Sequence, residues 1–383
     1  MAMSEWLTAQ EAMDRLRLKP QTLYAYVSRG RIEARDDPED PRRRLYRRSD
    51  VAQLEQRKAR GRRSAAIAEE AISFGEPVLA SSITTITQGR LWYRGRDAAE
   101  LARTARLEDV ARLLWACGDA RFPTLATPIA PGSGLQRLFG TIAARAATDP
   151  PSAGRTPRAL YFEAASVLDA LVDAVAGGPG EGPIHLRLGH GWGCDAAGCE
   201  LIRRALVLLA DHELNASTFA VRVAASTGAS LAASVLAGLA ALSGPLHGGM
   251  TLRVAGFLAE TGRIGIEPAV RARLAQGAAP PGFGHPLYPD GDPRGAALLS
   301  AFELPDRLEE TRRSTQALCG QPPNIDFALA ALAERLSLPE DAPLQIFAAA
   351  RCTGWIAHAL EQIETGRLIR PRARYTGPEP APV

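Results

Sequence analysis

Long runs of bulky apolar residues are missing from this sequence of 383 residues, which excludes a conventional membrane-spanning helix. The longest uncharged stretch, Val223 to Leu246, is mostly Ala, Ser, Gly and Leu, too weakly hydrophobic to span, and predicts a close-packed interior helix. The opening MAMSEWLTAQEAMDRL has no basic segment leading into an apolar one, so no secretory leader and a cytoplasmic location are expected. That setting removes glycosylation as a reason for the acceptor-like triplet Asn215-Ala216-Ser217. The cysteines, Cys117, Cys194, Cys199, Cys319 and Cys352, are odd in number and never spaced CxxC, which argues against a disulfide framework or a zinc site. Histidine is scarce, at six, so the places where it stands are informative.

What is present is ordinary for a globular protein, with 46% hydrophobic and 23% charged residues and length enough for two or three domains. The net charge of +3 hides an asymmetry: residues 1–63 hold 16 Lys and Arg against 10 Asp and Glu, leaving the remainder slightly acidic. The N-terminal end is a separate electrostatic object.

Within it, Thr8 and Glu11 have capping-box spacing, which predicts a short helix to about Arg17 with Ala12, Met13 and Leu16 on one face. Pro20 suits a first turn and Gly30 a stop, so a second helix is expected over 20–29. Ile32 to Ala34 and Leu45 to Tyr46 read as strands about a charged loop, and Ser49-Asp50 as the cap of a segment through Val51 and Leu54. The pattern resembles a winged helix-turn-helix of the MerR or excisionase type. Such a module would offer Gln21, Thr22, Tyr24, Tyr26 and Arg29 to a DNA groove and Arg42, Arg43, Arg44, Arg47 and Arg48 to phosphates. The alternative is a solvated basic face on a docking or dimerisation module. The charged stretch QRKARGRRSAA, from Gln56, marks a boundary.

From Ile72 onward helix formers dominate, and only ISFGEPVLASSITTITQGRLWY alternates in the manner of strands. Leu101 to Cys117 and Cys199 to His212 carry apolar residues at three- and four-residue spacing. Three histidines stand in irregular, Gly- and Pro-rich or polar surroundings: His212 in ADHELNASTFA, His247 in SGPLHGGM and His285 in PGFGHPLYPDGDPRG. Downstream, GQPPNIDF places Asp326 after two prolines, Arg351 follows Phe347 by one helical turn, and LIRPRARYTGP contains Arg370.

The order and wording of these segments resemble the citrate synthases, whose hallmarks are GPLHGG, G-[FY]-G-H followed by DPR, and N-[VI]-D. The likeness covers roughly residues 72–383, is weakest over 120–200, and includes the entry segment SSITTITQGRLWYRGRDAAELA. It implies an all-α, two-domain citrate synthase fold preceded by the small winged helix-turn-helix. The implied division is a helix-turn-helix domain over 1–57, a linker over 58–71, a large helical domain over 72–248 and 341–383, and a small one over 249–340. It further implies condensation of acetyl-CoA with oxaloacetate to citrate and CoA, the tricarboxylic acid cycle reaction, with no metal and no cofactor beyond the substrates. Asp326 would be the base, His247 would stabilise the enol and His285 would act as acid to the carbonyl. His212, Arg294, Arg351 and Arg370 would hold oxaloacetate beside Phe347, with Arg370 supplied by the neighbouring subunit of a homodimer.

Two departures stand out. Bacterial relatives commonly read GFGHRVYK, whereas Pro286 and Pro289 replace those cations here, which leaves coenzyme A phosphates to residues such as Arg253 or Arg312. Met250 and Thr251 also depart from the usual GPLHGGAN. Propionyl-CoA, giving 2-methylcitrate, is an alternative substrate, because one methylene supplies modest discrimination. A transcriptional regulator with a synthase-like sensor body is the alternative from another class.

Overall fold

The computed structural model describes residues 5–16, 18, 20–28, 31–38, 40, 43–52, 54–55, 79–122, 128–373 and 375–378. Residues 1–80 and 81–383 form two compact units.

In the first unit, strand β1 (Trp6–Thr8) runs into helix α1 (Ala9–Leu16), and α2 (Pro20–Ser28) follows. The capping box forms as its spacing predicts: the Thr8 N–H donates to Glu11 Oε2 at 2.7 Å and the Glu11 N–H to Thr8 Oγ1 at 3.3 Å. Strands β2 (Ala34–Asp36) and β3 (Arg44–Arg47) complete an antiparallel sheet in the order β1-β3-β2, with Tyr46 paired to both Leu7 and Ala34. Leu7, Ala12, Leu16, Leu23, Ile32, Tyr46 and Val51 form the unit's core. Ser49 and Asp50 do not cap the next helix, which already begins at residue 48 (α3, 48–52). Asp50 instead accepts the Glu33 N–H at 2.9 Å, which ties this helix to the residue before β2. The expected linker, 58–71, lies outside the described residues.

The second unit opens with an antiparallel meander, β4 (Thr84–Thr87) and β5 (Arg90–Tyr93) inside the region whose alternation predicts strands and β6 (Arg96–Asp97) just beyond it. Its two-residue turns place Gln88 and Gly89, then Arg94 and Gly95, at positive φ, the hairpin geometry that matches strand twist. Everything else described is helix and loop. The apolar segment from Leu101 divides at Ala105 and Arg106 into α4 (Ala98–Thr104) and α5 (Leu107–Leu114), because Asp109 accepts the Arg106 N–H at 3.0 Å and starts a new helix. The uncharged stretch from Val223 is likewise not one helix. It divides between α10 (Ala216–Ser226) and α11 (Leu231–Leu242), with Gly228 at φ 82° and the Ser230 side chain capping the second. A weakly apolar run signals burial, but Gly and Ser within it mark the break.

Two apolar cores organise this unit. The larger surrounds α17 (Ala342–Thr365), a helix buried on nearly every face, which explains its continuous Ala, Ile, Phe and Trp content. Around it pack α5, α7 (Pro157–Ala176), α9 (Ala196–Leu209), α10 and α11. The smaller core joins Val254 and Phe257 of α12 (Met250–Ile264), Val270 of α13 (Ile266–Ala275), Leu308 of α15 (Asp306–Cys319) and Phe327 of α16 (Ile325–Arg335), together with Phe283. No helix among the described residues is long and apolar enough to cross a membrane.

Candidate active site

His247 lies on the turn between α11 and α12. Its N–H donates to Gly244 O at 3.0 Å, as does that of Gly249 at 3.1 Å. The two glycines that follow it are dictated by space: a Cβ at Gly248 would stand 2.7 Å from Leu242 atoms, and one at Gly249 2.9 Å from Gly244 O. The ring is held by Ser217, whose Oγ lies 2.8 Å from His247 Nε2, and packs edge-on to Phe347 with centroids 6.0 Å apart. Ser217 Oγ also accepts the Trp355 indole N–H at 3.1 Å and stands 2.7 Å from Asn215 Oδ1, which itself accepts the Thr218 N–H. The hydroxyl has one proton to give, to Asn215 Oδ1 or to His247 Nε2. In the second arrangement the His247 proton resides on Nδ1. The triplet Asn215-Ala216-Ser217 therefore serves as helix cap and histidine support, a role its sequence pattern did not disclose.

His285 and Asp326 are brought together by pairing of their own segments. Gly284 N donates to Pro322 O at 2.8 Å, Asn324 N to Gly282 O at 2.8 Å and Asn324 Nδ2 to Gly284 O at 2.9 Å. Asn324 then caps α16, accepting the Asp326 N–H at 3.0 Å, so the Asp326 carboxyl sits in the first turn of that helix. The Leu287 N–H donates to His285 Nδ1 at 3.2 Å; a backbone amide can only donate, so the proton of the neutral ring is on Nε2.

Arg294 stands at the start of α14 (Pro293–Leu299), gripped by the Asp292 cap: Nε to Oδ1 at 2.9 Å and Nη2 to Oδ2 at 2.8 Å. Asp292 Oδ2 also accepts the Ile325 N–H at 3.0 Å, so one carboxylate ties the starts of α14 and α16. The glycine after Arg294 permits this approach, because a Cβ on Gly295 would lie 2.7 Å from the carbonyl carbon of Asn324.

Arg351 projects from the middle of α17 and is 1% exposed. Its Nε donates to Leu209 O at 2.9 Å and its guanidinium lies 4.7 Å from the Phe347 ring centre. Among the described residues no carboxylate pairs with it, and Nη2 has no hydrogen-bond partner. His212, buried at the end of the segment after α9, lies edge-on to His285 at 5.3 Å and within 3.0 Å of the Tyr288 hydroxyl.

The electrostatics follow from burial among cations. Burial, reinforced by Arg351, pushes His247 down to about 4, and burial with Arg294 does the same to His285. Burial, with Arg294 and Arg351 beside it, holds His212 well below the ordinary histidine range. All three are neutral at pH 7, acting as hydrogen-bond donors or acceptors rather than fixed charges. Burial pulls Arg351 down to about 10, with Asp211 resisting. Burial raises Asp326 from 3.8 to about 7 despite the opposing pull of Arg294, and its Oδ1 has no hydrogen-bond partner. A half-ionised carboxylate beside neutral imidazoles and an unpaired buried guanidinium can take a proton while the site receives an anion.

His212, His247, His285, Asp326, Arg294, Phe347 and Arg351 thus lie in connected parts of the second unit. Arg370 does not join them within this chain; it is exposed beyond the end of α17. Ser217, Tyr288, Asp292 and Asn324 take part without having been singled out. Asp292 and Asn324 were visible as the fixed letters flanking Arg294 and Asp326. Of the cations offered for coenzyme A phosphates, Arg312 is pinned by Glu309 at 2.6 Å, while Arg253 is exposed on α12. Among the described residues no group of His, Cys, Asp or Glu could hold a metal ion.

In the first unit, Thr22 is exposed on α2 and Tyr26 half-buried, with Arg31 6.0 Å from its ring centre. The side chains of Gln21 and Tyr24, and Arg29 and Arg42 entirely, lie outside the described residues. Arg43, Arg44 and Arg47 face carboxylates of Asp40, Asp36 and Glu33. The first two pairs are well exposed, where such pairing is weak and open to exchange.

A mainly helical unit with two cores, and a histidine-arginine-aspartate site built from the segments around them, defines the structural class of the citrate synthases. The Thermotoga maritima citrate synthase superposes with a TM-score of 0.64 at 25% identity, covering 82% of this chain and 97% of that one. The Pyrobaculum aerophilum enzyme gives 0.66 at 27%, covering 80% and 92%. Residues 184–372 match the family "Citrate synthase, C-terminal domain" and residues 6–59 the family "Helix-turn-helix domain". Residues 184–372 thus resemble the C-terminal domain of the citrate synthases, and residues 6–59 a helix-turn-helix domain. "Citrate synthase 2" of Bacillus subtilis is 41% identical over 194 residues, 47% of this chain and 51% of that protein. The citrate synthase of Haloferax volcanii is 39% identical over 193 residues, 46% and 50% respectively. The chain spans about half the length of these two relatives in the matched regions. The 2-methylcitrate synthase of Shewanella oneidensis is 29% identical over 359 residues, 81% of this chain and 94% of that protein.

Proposed function

We propose that the protein is an acyltransferase that condenses acetyl-CoA with oxaloacetate, releasing citrate and CoA. The observation that carries this reading is a carboxyl held up to about 7 in the same site as a buried Arg351 whose Nη2 has no hydrogen-bond partner among the described residues. Asp326 removes a methyl proton from the thioester, and an N–H of His247, supported by Ser217, donates to the thioester oxygen as the enol forms. The enol carbon attacks the 2-oxo carbonyl of oxaloacetate. His285 passes its Nε2 proton to that carbonyl oxygen as it becomes an alkoxide, and the proton taken up by Asp326 then returns to the imidazole, leaving both groups as they began. Water then cleaves the citryl thioester to citrate and the free thiol. Arg294 and Arg351 hold the carboxylates and His212 adds a neutral hydrogen bond. No cofactor beyond the substrates is part of this scheme. Arg370 completes the site from a second copy in a homodimer, and the protein works in the cytoplasm. The domain division is that of a large helical body, 72–248 with 341–383, and a small one, 249–340, whose closure excludes water.

The test is thiol release from acetyl-CoA with oxaloacetate by the full-length protein. Release dependent on oxaloacetate and lost in Asp326→Asn supports the reading; no release at millimolar substrates refutes it. Propionyl-CoA in a parallel assay decides between citrate and 2-methylcitrate, an alternative to which the likeness to the Shewanella oneidensis protein at 29% identity lends weak support.

A second reading rests on the helix-turn-helix domain at residues 6–59, with Thr22 exposed on its second helix: a regulator that binds DNA through residues 1–57. Full-length protein should then retard genomic DNA fragments with steep salt dependence, and removal of residues 1–60 should abolish this while sparing thiol release. Absence of retardation at low salt leaves a docking module.

A further inference from the structure

Tyr288 is 1% exposed and carries no step of the proposed condensation. Its hydroxyl lies 3.0 Å from His212 Nε2. Its ring sits 5.0 Å from that of His285, and the Arg294 guanidinium 5.5 Å from the Tyr288 ring centre. Its backbone is fixed on both sides, the N–H donating to His285 O and the carbonyl accepting the Gly291 N–H, each at 3.0 Å. A buried phenol has one proton to give, and among the described residues the acceptor within reach is His212 Nε2. Were the imidazole to donate instead, the phenol proton would be stranded in the interior, where an unmade hydrogen bond carries the full desolvation cost.

We propose that Tyr288 is a positioning residue of the dicarboxylate site, its hydroxyl donating to His212 Nε2 and so holding that ring as the tautomer with its proton on Nδ1. The substrate then meets a neutral donor of fixed direction, while Arg294 and Arg351 supply the charge. Burial keeps the phenol protonated and the imidazole neutral around pH 7, so the bond keeps its direction through the working range. This inference rests on the oxaloacetate reading for its substrate, but the tautomer is a property of the substrate-free protein.

The experiment is 15N NMR of histidine-labelled, full-length protein, with the His212 signals assigned by their loss in His212→Asn. The expected wild-type spectrum has a pyrrole-type Nδ1 and a pyridine-type Nε2 at His212. In Tyr288→Phe, which keeps the ring packing and loses only the hydroxyl, the two signals should average towards the opposite tautomer. Calorimetry should show oxaloacetate binding about tenfold more weakly to Tyr288→Phe. KM for oxaloacetate should rise in proportion with kcat little changed, and the loss should vanish on a His212→Asn background. A pyridine-type Nδ1 in the wild type would overturn the proposal, without need of any variant. So would an oxaloacetate affinity within twofold of wild type in a Tyr288→Phe protein that melts normally. If the wild type released no thiol, the synthase reading would fail while the tautomer result stood on its own.

Discussion

Asp326 offers the most quantitative test, because burial holds its carboxyl at about 7 where an exposed aspartate titrates near 3.8. If it is the base, kcat/KM for the thioester should follow its ionised fraction. At pH 6 that fraction is about one-tenth, so the rate should lie roughly tenfold below the plateau near pH 8.5. His247 and His285, pushed down to about 4, stay neutral over this range and add no second limb. Asp326→Asn should lose on the order of 10²–10⁴ in rate and, with it, the ascending limb. The same group predicts stability. A pKa raised on folding contributes stability that is fully present below about 4 and lost as pH rises through about 7. The unscreened value for a rise of this size is about 4 kcal/mol. Partial solvent access to this half-buried residue reduces it to roughly 1–3 kcal/mol. Asp326→Asn should therefore gain more thermal stability over wild type at pH 8 than at pH 4. A rate flat between pH 5.5 and 8.5, or an equal gain at both pH values, would refute the assignment of a raised, catalytic carboxyl.

Other expectations test separate parts of the site. Ser217→Ala removes the oxygen 2.8 Å from His247 Nε2 and should lower kcat about tenfold with little change in either KM, read by steady-state thiol release. Arg351→Lys keeps a charge but loses the planar fork, so KM for oxaloacetate should rise roughly ten- to a hundredfold. Gly295→Ala places a methyl 2.7 Å from the Asn324 carbonyl carbon and should destabilise the protein by about 1–3 kcal/mol in denaturant melts. In the first unit, replacing exposed Arg43 or Arg44 by Ala should reduce the salt slope of DNA binding by about one each, if these residues meet phosphates.

Much of the helix pattern was legible because it depends on neighbours in sequence. The capping box at Thr8 and Glu11, the hairpin alternation before Tyr93 and the apolar content of α17 all act within a few residues. The breaks at Arg106 and Gly228 were harder to place, since a side-chain cap or one left-handed glycine interrupts an apolar spacing that otherwise continues. At the site, the motifs around His247, His285, Asp326 and Arg294 picked out residues that the fold places in connected segments.

Residue types, spacing and motif order by themselves determined which groups are available: three histidines, an aspartate, the clamp arginines, and glycines where a Cβ cannot fit. Tertiary structure alone decided their states. Asp292 became a clip between α14 and α16 because its carboxylate reaches both helix starts. Ser217 came to support His247 from 30 positions away in the chain. Asp326 rose to about 7 and the histidines fell because burial withdraws water from all of them at once. Solvation and long-range hydrogen bonding depend on what surrounds a group in space, and no local reading of the chain contains that information.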